Sequence, residues 1–124
     1  GLVTINAMVW AHKIIIPMQS EYFAMEGLTL LMHTIGNVKK SLNPELEVLG
    51  ILFTMYSKRT RLARDVVDDI VSYFDDLVFD TMIPRNIRLA EAPSHGLPIN
   101  RYDSSCNGAK AYRALAKEVI KRGK

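Results

Sequence analysis

Three short apolar runs, separated by two long amphipathic stretches, constrain this chain more than any other feature. The runs are KIIIP at 13–17, EVLGILFTM at 47–55 and LVFDTMIP at 77–84. Runs this short, rich in branched residues and bounded by proline or polar residues, read as buried strands. Between the first two lies EYFAMEGLTLLMHTIGNVKKSL. There Ala24, Leu28, Leu31, Ile35, Val38 and Leu42 recur by fours and threes, which makes one apolar face of a long helix. Ser20 is placed to cap its start, and Asn43-Pro44 ends it. Between the second and third runs, Leu62, Val66, Ile70 and Phe74, joined by Val67 and Val71, mark a helix from Thr60 to Phe74. A strand followed by a crossover helix and another strand gives parallel pairing. The expected fold class is therefore α/β, a parallel sheet with flanking helices.

Two further helices complete the order. VTINAMVWA at 3–11 precedes the first strand, and NGAKAYRALAKEVIKRGK closes the chain. On the last helix Tyr112, Leu115, Ala116, Val119 and Ile120 are expected inward, and basic residues crowd a carboxyl end that favours them. Three short parallel strands make a thin sheet that needs cover on both faces and leaves at least one edge open. Residues 1–124 are thus expected to form a single partial domain, belonging to a larger α/β domain or pairing with another chain. No internal repeat or linker interrupts them.

Composition excludes several classes. With 48% hydrophobic and 23% charged residues, the chain has a globular rather than a disordered profile. No apolar run reaches the roughly 20 residues of a membrane helix. The single cysteine, Cys106, excludes an internal disulfide and fits a reducing cytoplasm. The net charge of +3 is mild, but its distribution is not. Lys58, Arg59, Arg61 and Arg64 cluster at the start of a helix, where positive charge opposes the dipole. Such a cluster suits an anionic partner such as phosphate, a nucleic-acid backbone or anionic lipid. Without interleaved aromatics, contact to nucleic acid is expected at phosphates and is not sequence-specific.

Ligands of open α/β sheets bind beyond the carboxyl ends of the strands. Three polar loops meet there: PMQSEY, TMYSKRT and PRNIRLAEAPSHG. No complete G-x-x-x-x-G-K-[ST] loop is present. GNVKKS lacks the second glycine and falls within a periodic helix, and there is no G-x-G-x-x-G. His12, His33 and His95 have no metal-ligand spacing. Ser94 and His95, adjacent in one loop, do not make a triad, which is assembled across space.

The segments LVTINAM, IPMQSEYFAMEGL, LNPELEVLGILFTM, IPRNIRLAEAPSHGLPI and GAKAY, in this order, cover nearly the whole chain. Together they resemble the C-terminal half of the ParA/Soj family of chromosome- and plasmid-partitioning ATPases, deviant Walker-type P-loop proteins. The resemblance implies that ATP closes a homodimer, that the dimer coats DNA non-specifically, and that a ParB-type partner triggers hydrolysis and release. It implies a cytoplasmic, nucleoid-associated protein without a membrane partner. In the family the Walker A and Walker B segments precede the part matching Gly1. ATP and Mg2+ are therefore expected to serve the intact protein, with no catalytic residue or metal ligand here and no tight binding or turnover by this chain alone. The resemblance further implies an adenine pocket from Met55, Pro84, Arg85 and Asn86. It places Gln19, Glu21 and Glu26 near the nucleotide or the dimer face. Arg59 and Arg88 match DNA-binding positions, and Lys58, Arg61 and Arg64 would extend that surface. The chain departs from the family pattern at Leu97 and in YDSSCNGA. Two other readings stand beside this one: a MinD-like membrane-surface ATPase, and a non-enzymatic adaptor fragment working through its sheet edge.

Overall fold

In a computed structural model, the described residues are 8, 12–20, 24–57, 60–85, 93, 96, 98 and 105–123. The core elements follow the expected order: strand β1 (Lys13–Gln19), helix α1 (Ala24–Ser41), strand β2 (Glu47–Thr54), helix α2 (Arg61–Phe74), a short 3-10 turn (Asp75–Leu77) and helix α3 (Asn107–Arg122). Of the helix expected at 3–11, Met8 is described, and it is helical and buried. Its carbonyl accepts a hydrogen bond of 3.0 Å from Asn43 Nδ2, beyond the end of α1.

β1 and β2 pair in parallel, with Lys13 opposite Glu47 and Gln19 opposite Thr54. The register slips between Ile14 and Ile15, where Ile14 faces Val48 and Ile15 faces Gly50, so Leu49 is an extra residue on β2. The third expected strand is less regular. Residues 78–85 run parallel to β2 but touch it as two isolated bridges, Ile51 with Val78 and Tyr56 with Pro84. Phe79 N donates to Ile51 O at 2.8 Å, and Ile83 N donates to Phe53 O at 2.8 Å. Two residues of β2 are thus matched by four of its neighbour. The surplus lifts 80–82 out of the ladder.

Helices cover both faces at β2 and the third segment, whereas β1, expected to be buried, leaves Lys13, Ile15, Pro17 and Gln19 exposed. Ile16, Ile51, Phe53 and Val78 point to the side where Leu28, Ile35 and Val38 of α1 and Val67 and Ile70 of α2 are buried. Leu52, Phe79 and Ile83 point to the other side, against Ala111, Leu115 and Val119 of α3. The apolar stripes are shifted slightly from their expected centres. On α2 the buried residues are Ala63, Val67 and Ile70, while Leu62 and Val71 lie at its exposed margins. Leu42 is exposed because it follows the last turn of α1, where the Leu42 and Asn43 amides both bond to Val38 O at 2.9 Å.

The larger correction concerns α3. Tyr112, Ala116 and Ile120 were expected inward and are exposed, whereas Glu118 and Arg122 are half-buried. The face that docks runs through Gly108, Ala111, Leu115, Glu118, Val119 and Arg122. It turns the charged pair towards the strands. The Ser20 hydroxyl is buried and has no hydrogen-bond partner among the described residues, and the first described residue of α1 is Ala24.

Gly50 is required where α3 meets the sheet. A Cβ there would lie 2.5 Å from Phe79 Cε2 and 2.9 Å from Arg122 Nη1. Gly50→Ala should therefore displace both side chains and destabilise the fold by about 1–3 kcal/mol, as overpacking does. A denaturation midpoint unchanged from wild type would contradict this packing.

Candidate functional site

The carboxyl end of β2 and the end of the third extended segment are zipped together. Tyr56 N donates to Ile83 O at 3.1 Å, and Arg85 N donates to Tyr56 O at 3.0 Å. Just before this junction Met55 adopts a left-handed backbone with φ of 54°, a conformation that costs a residue with a side chain about 1 kcal/mol. That turn carries Tyr56 and Ser57 beside Pro84 and Arg85. An open cleft of about 840 Å³ lies there, lined by Tyr56, Ser57, Asp80, Met82, Pro84, Arg85, Asn107 and Ala111. Three elements build it: the end of β2, residues 80–85, and the first turns of α3. Its lining is mixed, with Met82, Pro84 and Ala111 beside Ser57, Asp80, Arg85 and Asn107, and its volume is within the range of small-molecule sites.

The sequence-derived candidates are distributed as follows. Pro84 and Arg85 line the cleft. Met55 is 46% exposed on the preceding turn, and the cleft lining at that strand end is Tyr56 and Ser57. Asn86 lies outside the described residues, as do Glu21, Lys58, Arg59 and Arg88. Gln19 ends β1, exposed, and Glu26 is exposed in the first turn of α1. Arg61 opens α2, fully at the surface, with Nε 3.8 Å from Asp65 Oδ2 one turn on. Arg64 is exposed on the following turn. The N-cap of α2, Thr60, makes no side-chain capping bond, and the first turn holds no acidic residue. The helix therefore begins with cations at its positive end.

The residues missed from sequence are Glu118 and Arg122. Glu118 accepts the Asp80 amide at 2.8 Å and the Thr81 amide at 2.9 Å. These are the N–H groups that the irregular ladder leaves unpaired. Arg122 donates through Nη1 to Leu49 O at 3.2 Å and Leu77 O at 3.3 Å, and through Nη2 to Val78 O at 2.9 Å. Its guanidinium lies 4.3 Å from the Phe79 ring centroid and 3.2 Å from Glu118. The signal was present as E-x-x-x-R, an i,i+4 ion pair in step with Ala111 and Leu115. The same carboxyl end of α3 is tied to β1 as well, since Lys13 Nζ donates to Gly123 O at 3.1 Å.

Burial pushes the Glu118 pKa up, but hydrogen bonds from the Thr81 side chain and from the Thr81 and Asp80 amides, with Arg122 beside it, outweigh this. The result is a carboxyl held below its ordinary value of 4.5. Among the described residues no cluster of three or more His, Cys, Asp or Glu is placed to hold a metal ion. No helix among the described residues is long and apolar enough to cross a membrane.

Comparison with known proteins places this geometry in context. A family model described as an AAA domain matches residues 1–48. The chromosome-partitioning ATPase Soj of Treponema pallidum is 52% identical over 98% of this chain, which covers 48% of that protein. The chromosome partitioning protein ParA of Caulobacter vibrioides is 50% identical over 98% of the chain, covering 46% of its own length. The chain belongs to the ParA/Soj family. It spans about half the length of the curated relatives it matches. A crystal structure of cobyrinic acid a,c-diamide synthase from Mycobacterium smegmatis, with bound ATP analogue and magnesium, superposes on the whole chain. The TM-score is 0.77 at 33% identity, and the match covers 45% of that protein. The ParA/Soj chain therefore has the parallel α/β architecture of nucleotide-binding P-loop proteins.

A folded-state pKa below the unfolded value stabilises the fold above the unfolded pKa and loses that contribution as pH falls through the folded one. Acid titration should therefore destabilise the wild type below about pH 4.5 partly through Glu118. In Glu118→Gln this part of the acid dependence should vanish. Equal slopes of stability against acid pH in both proteins would show that Glu118 is not so held.

Proposed function

We propose that this ParA/Soj chain is the C-terminal portion of a chromosome- or plasmid-partitioning ATPase, and that it supplies the base-binding side of the nucleotide site. The observation that supports this reading most is the cleft at the carboxyl edge. Its walls come from the same strand ends, TMYS and IPRN, that carry the family resemblance. Tyr56, Pro84, Met82 and Ala111 would flank the adenine ring, with Ser57, Arg85 and Asn107 at its polar rim. Phosphate and Mg2+ would be held by residues outside the 124 described by this sequence, since no phosphate loop occurs within it. When bound, the nucleotide would supply the phosphoryl group whose hydrolysis resets the protein. This chain's own residues would bind and orient the base.

The intact protein would switch between an ATP-bound homodimer on DNA and a released form, with a ParB-type partner stimulating release. Basic residues at the start of α2, Arg61 and Arg64, would join Lys58, Arg59 and Arg88 in a phosphate-contacting surface. Counterion release gives such contacts a steep salt dependence and no base preference. Gln19, Glu21 and Glu26, at the carboxyl end of β1 and the start of α1, would lie towards the nucleotide and the second protomer.

In the intact protein, Arg59→Ala or Arg88→Ala should weaken ATP-dependent DNA binding and reduce the slope of log K against log salt by about one. Sequence-scrambled DNA should bind as well as native DNA. Unchanged affinity in both variants at low salt would reject these arginines as DNA contacts.

A further inference from the structure

We infer that Glu118 is a positioning residue for the base cleft: by holding the displaced segment 80–82, its carboxylate sets the wall that Asp80 and Met82 present to a bound base. The inference rests on the reading of the cleft as a base site, and it adds a residue that does not itself line that cleft. The geometry begins with the ladder. Phe79 N bonds to Ile51 O and Ile83 N to Phe53 O, so four residues of one segment span two of the other. The surplus residues leave the sheet, and the Asp80 and Thr81 amides lose their ladder acceptors. Asp80 is exposed and Thr81 half-buried, so water would serve these amides without fixing the segment; a defined course needs a protein acceptor.

Glu118 supplies that acceptor with both carboxylate oxygens, Oε2 to Asp80 N at 2.8 Å and Oε1 to Thr81 N at 2.9 Å. Two anchors fix the displaced segment as one anchor would not. The carboxylate is itself held 3.2 Å from Arg122 Nη2, on a side chain locked to three backbone carbonyls. Asp80 and Met82, on either side of Thr81, line the cleft together with Asn107 and Ala111. The same α3 thus lines the cleft with its first turns and, from its last, fixes the segment that brings Asp80 and Met82 to it. A base in the cleft would meet a gap whose width depends on Glu118. Phosphates, held elsewhere, would not.

The test uses the intact protein and two probes, ADP and inorganic pyrophosphate, with binding read by calorimetry. Glu118→Gln keeps the size of the side chain but leaves one amide facing an NH2 group. Its affinity for ADP should fall about tenfold, while its affinity for pyrophosphate stays within about twofold of wild type. Met82→Ala, which trims the wall directly, should also weaken ADP binding. Combined with Glu118→Gln it should add less than its separate effect, because both changes act on one wall. Glu118→Asp, too short to span both amides, is the second variant should Glu118→Gln fail to fold, and it should show the same selective loss. Equal losses for ADP and pyrophosphate, strict additivity with Met82→Ala, an unchanged ADP affinity, or unfolding of both Glu118 variants would each overturn the positioning role. A wild-type protein that binds ADP no more tightly than pyrophosphate would instead reject the base cleft itself.

Discussion

The contact between the last two turns of α3 and the backbone of the sheet governs the rest of this structure. Arg122 collects the carbonyls of Leu49, Leu77 and Val78, and Glu118 collects the amides of Asp80 and Thr81. Each of these groups is left over by an irregularity: the extra residue Leu49 in β2, the turn that enters the third segment, and the excursion at 80–82. A sheet this thin cannot satisfy them within its own ladder. A half-buried ion pair would ordinarily contribute little net stability. Here its members are acceptors and donors for backbone groups that the ladder does not pair, so removing one partner leaves those groups to water and the segment without its anchor.

From this contact the packing follows. With Arg122 over Phe79 and against Gly50, α3 lies on the face of the sheet that carries Leu52, Phe79 and Ile83. α1 and α2 take the other face, where Phe53, Ile51 and Ile70 are fully buried. Because α3 is fixed at its carboxyl end, its amino end comes to rest beside Pro84 and Arg85. The cleft is the space that remains between them. Fold and candidate site are thus consequences of the same docking.

Much of this was legible in the sequence, and the part that was not has a physical reason. Short apolar runs located all three extended segments and apolar periodicity the bounds of α2, because both are local patterns. The place of the cleft was legible because parallel strands put their carboxyl ends together. What periodicity could not carry was the polar half of the packing. Glu118 and Arg122 read as surface residues, since charged side chains are usually solvated. Their partners are backbone atoms of a distant segment, which have no signature in residue type. For the same reason Tyr112 and Ile120 looked inward: an apolar stripe was assumed where the sheet asks for hydrogen bonds. The turn at Met55, which brings Tyr56 and Ser57 rather than Met55 to the cleft, depends on a single left-handed residue that is not a glycine.

The central claim is that the base of a nucleotide lies between the ends of β2 and of the third segment, closed by the start of α3. The most direct measurement is a crystal structure of the intact protein with ADP. The account predicts the adenine ring between Tyr56–Ser57 and Pro84–Arg85, with Asn107 and Ala111 on its far side. An adenine ring bound elsewhere, with this cleft open to solvent in the same crystal, would contradict it.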